Sequence, residues 1–165
     1  MDVSFFTMNI LNHLPSYVRI SLKNIRKKGE MAMAMYEMKP EYYTGIDFID
    51  QEHKKLFEIA NRAYELLTNE FIPDKYDYIM EVVDELRDYM QYHFDHEEEY
   101  MKSINYKRLF SQKVAHDEFI KKINSYDSEI VDEDQRESLY ELLEFLTTWL
   151  VDHIYMQDKL IAEEQ

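Results

Sequence analysis

From Asp74 to Gln165 the chain contains neither glycine nor proline. The whole sequence of 165 residues holds only 2 Gly and 3 Pro. A chain with so few turn-makers has little choice but to be mostly helical. Apolar residues recur at helical spacing in four segments. The first runs from about Asp50 to Thr68, with Leu56, Phe57, Ala60, Tyr64 and Leu67 on one side. Pro73 and its neighbours break it. The second runs from Asp74 or Lys75 to Met101, with Ile79, Val82, Val83, Leu86 and Met90 inward and Asp74 as its N-cap. The third covers Lys107 to Tyr126, with Leu109, Phe119, Ile120 and Ile123. The fourth covers Asp134 to Ile161, with Leu139, Leu142, Leu143, Leu146, Trp149 and Leu150. Short connections make neighbouring helices antiparallel. The expected fold is therefore all-α, an up-down-up-down four-helix bundle over residues 38–165. Residues 31–49 read as an irregular arm, with Pro40 and a turn at Thr44-Gly45.

The bundle carries one histidine on the inward stripe of each helix. His53 stands three, four and seven residues before Leu56, Phe57 and Ala60. His93 continues the line of Ile79, Leu86 and Met90, and Glu97 lies one turn later. His116 sits between Leu109 and Phe119, and His153 continues Leu146, Trp149 and Leu150. A single such histidine is ordinarily a core residue satisfied by one hydrogen bond. Four are different. Burying an imidazole without a partner costs about 1–3 kcal/mol, and the backbone of a helical core is already paired. Four imidazoles and Glu97 need a shared partner, and a metal centre supplies one. With no cysteine in the chain, thiolate ligands and disulfides are excluded. The remaining His and carboxylate donors suit iron, manganese or zinc. Within His93-Phe94-Asp95-His96-Glu97-Glu98-Glu99, the expectation is that His93 and Glu97 face in, that Asp95, Glu98 and Glu99 are solvated, and that His96 lies at the surface or behind the ligands.

Charge removes other classes. The net charge of −15 opposes phosphate backbones, so no nucleic-acid partner is expected. No apolar run is long enough for stable membrane insertion, and no secretory signal is visible, so a cytoplasmic protein is the expectation. Residues 1–30 are net +3, leaving −18 on the remainder. Residues 1–37 read as an N-terminal extension. One account is a translated leader ahead of a start near Met31 or Met33. The other is a basic amphipathic helix at 16–28 that touches a membrane or a partner. Ferritin-like di-iron bundles use Glu-x-x-His pairs. No histidine here has glutamate three residues before it, and Asp50-x-x-His53 is the nearest approach.

The segments TGIDFIDQEHKKLF (44–57), HFDHEEEYM (93–101), HDEF (116–119) and WLVDHIYMQD (149–158), in this order on four helices, resemble the hemerythrins, in particular their single-domain bacterial members. The resemblance covers about residues 38–160. It implies two non-haem irons bridged by two carboxylates and an oxygen species, with dioxygen as ligand. Carried over by position, it implies His53, His93, Glu97, His116, His153 and Asp158 as iron ligands. Asp158 rests on the resemblance alone. Five residues from His153 is about 140° around an ideal helix, so Gln157 looks better placed and a local distortion must bring Asp158 in.

The chain departs from the family pattern at Gln112, where a further histidine is expected; Gln112 would ligate through its amide oxygen or stand back. Met38 replaces a common Trp, and Glu52 replaces Gln before His53, both read as changes at the rim of the pocket. Leu56, Phe57, Trp149 and Leu150 are candidate wall residues or plain core. Tyr89, Tyr92, Tyr100 and Tyr155 lie near the site, and packing at bundle edges is the preferred reading for them. The resemblance implies a non-enzymatic protein that binds dioxygen reversibly, for storage, delivery or sensing. The alternatives are a di-iron redox protein that consumes dioxygen, peroxide or nitric oxide, and an iron-holding protein.

Overall fold

The computed structural model describes Tyr36 and residues 38–163. The basic segment, the methionines proposed as starts and the amphipathic stretch at 16–28 lie outside the described residues. No strand occurs among the described residues. Four long helices form the bundle: α1 (Asp47–Thr68), α2 (Tyr76–Ser103), α3 (Leu109–Ile123) and α5 (Gln135–His153). A short α4 (Ser128–Glu133) precedes α5. A π-helical turn (Ile154–Asp158) and a final α6 (Lys159–Glu163) continue it. Helix α1 packs on α2 and α5, and α2 packs on α3. The all-α, up-down-up-down expectation holds.

The inward stripes are those the periodicity predicts. Ile79, Val82, Val83, Leu86, Met90, Phe119, Ile123, Leu139, Leu142, Leu143, Leu146 and Leu150 are all buried, whereas Tyr64, Leu109, Ile120 and Trp149 are half-buried at the edges of the core. The third helix is shorter than expected at both ends. Asn105, with φ 54, turns the chain after α2, and Tyr126 closes a turn by donating to the Ile123 carbonyl. Asp127 then accepts from the N–H groups of Glu129 and Ile130 and starts α4, which the spacing does not predict. Asp134 caps α5 through the Glu137 N–H at 2.9 Å. At the start of α2 the cap is displaced by one residue. Lys75 holds the N-cap position, while Asp74 accepts from the Tyr76 N–H and from Gln135.

Residues 47–49, expected in the arm, are instead the start of α1. Over residues 38–46 the arm is irregular apart from one 3-10 turn at Pro40–Tyr42. It is nonetheless tied down. The Asn61 side chain accepts from the Tyr36 N–H at 3.0 Å and donates to its carbonyl at 2.5 Å. The Tyr36 hydroxyl lies 2.5 Å from Thr147 Oγ1 on α5. Gly45, at φ +85, makes the turn into α1 that a side chain would strain. Asp50, one turn into α1, closes that turn. Its carboxylate accepts from the Thr44 N–H (2.7 Å), the Thr44 hydroxyl (2.9 Å) and the Gly45 N–H (3.0 Å).

Candidate metal centre

His53, His93, Glu97, Gln112, His116, His153 and Asp158 are each 2 % exposed or less. They come from all four long helices and the π-turn, and they meet in one place. One donor atom from each of His53, His93 and Glu97 lies within 4.8 Å of the others. The same is true of Glu97, His116 and His153. Asp158 spans the two groups. Its Oδ2 is 3.3 Å from His53 Nε2, and its Oδ1 is 3.1 Å from His153 Nε2. Glu97 Oε2 lies 3.2 Å from His116 Nε2, which is itself 3.2 Å from His153 Nε2. The result is two clusters of two imidazoles with two carboxylates, Glu97 and Asp158, between them.

Two different helix spacings produce this symmetry. On α2, His93 and Glu97 are four residues apart and share a face by ordinary α-geometry. On the fourth rod, His153 and Asp158 are five apart. There the chain widens to π-turns over Ile154–Asp158, which accommodates one extra residue and keeps Asp158 on the inward face. Asp158 is thereby fully buried, while Gln157 is half-buried.

These donors are poorly satisfied by each other. Both oxygens of Glu97, both ring nitrogens of His53, Nδ1 of His153, Oε1 of Gln112 and Oδ2 of Asp158 are buried without a hydrogen-bond partner. His53 and Asp158 are near enough to pair electrostatically but are not aligned as a hydrogen bond. Orphaned polar atoms of this density would cost several kcal/mol in an apolar core. A pair of divalent cations would account for the orphaned oxygens of Glu97 and Asp158 and the inner nitrogen of His53, and a donor set of imidazoles and carboxylates fits iron.

The electrostatics agree. Burial, and then the nearby charge of Asp158, pushes the Glu97 carboxyl up to about 8. Burial acts in the same direction on Asp158, but His153 and His53 outweigh it and hold that carboxyl well below the usual range. Burial holds His116 below its ordinary value against the pull of Glu98, which favours the neutral imidazole that donates a lone pair.

Behind the imidazoles stand groups that orient them. Glu52 Oε2 is 2.9 Å from His93 Nδ1, and Glu52 Oε1 is 2.9 Å from His96 Nδ1. Glu52 is therefore more than a rim residue. It fixes a ring from the neighbouring helix, and His96, 42 % exposed, carries that contact outward. Glu98 corrects another expectation. It is 8 % exposed, not solvated, and bonds His116 Nδ1 at 3.3 Å and the Lys113 ammonium. Asp95 and Glu99 are exposed as expected. Rings clamp the other pair of imidazoles: Phe94 stacks on His116 (3.8 Å between centroids) and Trp149 on His153 (4.1 Å). Helical spacing does not single out Phe94, because it is one residue off the stripe. Leu56, Phe57 and Leu150 are buried in the core, and Met38 packs against it half-buried. Tyr92 and Tyr155 are about half-exposed; with Tyr89, Phe48, Gln51, Glu52 and His96, Tyr92 lines an open pocket of about 530 Å³. Gln112 does not copy the histidines. Its Nε2 donates to Asp158 Oδ1 at 3.1 Å.

Comparison with known proteins gives the same answer as the geometry. The hemerythrin HHE cation-binding domain matches residues 44–164. A bacteriohemerythrin of Clostridium acetobutylicum is 50% identical over 125 residues, covering 76% of this chain and 97% of that protein. A bacteriohemerythrin of Stenotrophomonas maltophilia is 32% identical over 133 residues, 80% of this chain and 82% of that protein. One from Pseudomonas aeruginosa is 31% identical over 127 residues, 76% and 78% of the two chains. With four helices that each deliver one buried histidine to a shared pair of carboxylates, the chain belongs to the hemerythrin family.

Proposed function

We propose that this protein holds two iron ions between its four helices and binds dioxygen reversibly there. In this reading His53 and His93 hold one iron, His116 and His153 hold the other, and Glu97 and Asp158 bridge them. The observation that carries it is the pair of carboxylates, each fully buried and each shared between imidazoles of two clusters. When bound, the iron pair supplies the electrons that dioxygen binding requires.

The chain's own part is to hold that pair and keep bulk solvent away. Glu52 and Glu98 each accept from the outer nitrogen of an imidazole, so the inner nitrogen of His93 and of His116 is the one left for metal. Phe94 and Trp149 press on His116 and His153 and stop their rings from turning. Leu56, Phe57 and Leu150 belong to the dry core around the centre. Dryness limits proton access to whatever binds there and favours release over irreversible oxidation.

One feature favours a second reading, a redox protein that consumes dioxygen, peroxide or nitric oxide. It is the amide of Gln112 at the position where an imidazole is expected. Reconstitution of the chelator-treated protein with ferrous iron under argon tests the proposal. Two irons per chain and one dioxygen taken up per iron pair, recovered on evacuation, are the expected results. Fewer than two irons per chain, or uptake without recovery, rejects it.

A further inference from the structure

Gln112 is 1 % exposed and sits at the centre on α3, one turn before His116. An amide can face Asp158 in two ways. With oxygen toward the carboxylate, two acceptors would meet at 3.1 Å with no proton between them. With Nε2 toward Asp158 Oδ1, as the structure has it, a hydrogen bond forms. That choice fixes the other end. Oε1 is then a buried acceptor with no hydrogen-bond partner. The nitrogen is committed to the carboxylate, and an amide nitrogen that donates has no lone pair to give a metal.

The two clusters otherwise match. Each has two imidazoles and a share in Glu97 and Asp158. Among the described residues neither has a third imidazole. The unmatched group on the His116/His153 side is thus an acceptor that lacks a donor.

We infer that Gln112 is not a ligand but a positioning residue: it pins Asp158 Oδ1 and leaves a small-ligand position on the His116/His153 metal, filled by a proton-bearing species such as water or hydroxide that donates to Gln112 Oε1. This rests on the two-metal reading above. It gives the centre two exchangeable positions, one on each metal, and makes Gln112 the group that selects the occupant of the second. A ligand that can donate one hydrogen bond is favoured there over one that can only accept.

The test uses the full chain loaded with Co²⁺, titrated with inorganic azide and followed by the visible absorption of the metal and by calorimetry. Wild type takes two azides per metal pair, the second more weakly because azide brings no proton to Gln112 Oε1, and Gln112→His, which fills the second position with an imidazole, takes one. Gln112→Leu still binds two Co²⁺ and takes two azides, the second more tightly than wild type because the acceptor facing it is gone, with an absorption spectrum before azide that differs from wild type less than that of Gln112→His does. A single azide per pair in wild type at saturating azide, a second azide held no more tightly by Gln112→Leu than by wild type, or loss of one Co²⁺ in Gln112→Leu with its fold intact by circular dichroism overturns the inference. Should Gln112→Leu not fold, the comparison of wild type with Gln112→His decides alone. Binding of fewer than two Co²⁺ by wild type is a different failure, that of the two-metal reading itself.

Discussion

The Glu52 carboxylate on α1 lies 2.9 Å from His93 Nδ1 on α2, and it lies 2.9 Å from His96 Nδ1 with its other oxygen. Burial alone would raise its pKa, but the hydrogen bonds from these two rings outweigh that and hold it below the usual carboxylate value. An ionised carboxylate at the outer nitrogen makes the inner nitrogen a better donor. Glu52→Ala should therefore weaken iron or Co²⁺ binding about 10–100-fold. Glu52→Gln, which can still accept from His93, should lose less. Calorimetric titration of each variant checks the order, and equal affinities would show that the bond to His93 is incidental.

Glu97 gives a pH-dependent prediction for the protein stripped of metal by a chelator. Its folded-state pKa is raised to about 8 by burial and by Asp158. A group raised in this way contributes stability that is fully present below its unfolded-state pKa and is lost as pH rises through about 8. Asp158 is shifted the other way, so its contribution is lost only under strong acid and does not vary in this window. Between pH 6 and pH 9, metal-free Glu97→Gln should gain stability on wild type by on the order of a few kcal/mol. Urea denaturation at several pH values measures it. With iron present the proposed two-iron reading reverses the sign, because the variant would lose a carboxylate ligand.

The π-turn explains how Asp158 reaches the centre. Deleting Met156, an exposed residue of that turn, leaves His153 and the carboxylate four residues apart, the spacing of His93 and Glu97. The aspartate would then be one methylene short of the glutamate that performs the same task on α2. Deletion of Met156 combined with Asp158→Glu should keep two metals per chain, whereas Asp158→Asn alone should lose one. Metal analysis of the purified variants decides. Loss of both metals in the compensated variant would show that the wide turn itself is needed.

These residues also show what the sequence could disclose. The four histidines and Glu97 are legible from offsets of three, four and seven, because each helix buries one regular stripe. Asp158 is not, because a π-turn breaks the 3.6-residue period of an ordinary helix. Glu52 and Glu98 read as rim and solvent residues because each is adjacent to an inward residue. Both instead lie at the seam between two helices, α1 with α2 and α2 with α3. A one-helix period does not see a seam, since burial there depends on which neighbour the topology supplies. Helix α4 is illegible for a related reason. Its single buried residue, Val131, leaves no periodic signal, and only the Asp127 cap marks it.

Asp50 tests the arm independently of the metal. Its carboxylate takes three hydrogen bonds from Thr44 and Gly45 and is 8 % exposed. Asp50→Ala would leave two N–H groups unpaired and should cost about 1–3 kcal/mol. The loss should appear as a lower denaturation midpoint with metal content unchanged. A fall in metal content would mean that the turn also holds His53, one helical turn further on, in place.

The proposed function requires a centre that takes up dioxygen and returns it. The optical spectrum of the ferrous protein, recorded under argon, after admitting air and again after removing it, tests this most directly. Reversible binding predicts a charge-transfer band that appears with air and disappears when the gas is removed, over repeated cycles. A band that never forms, or that decays at once to a stable ferric spectrum, would contradict it.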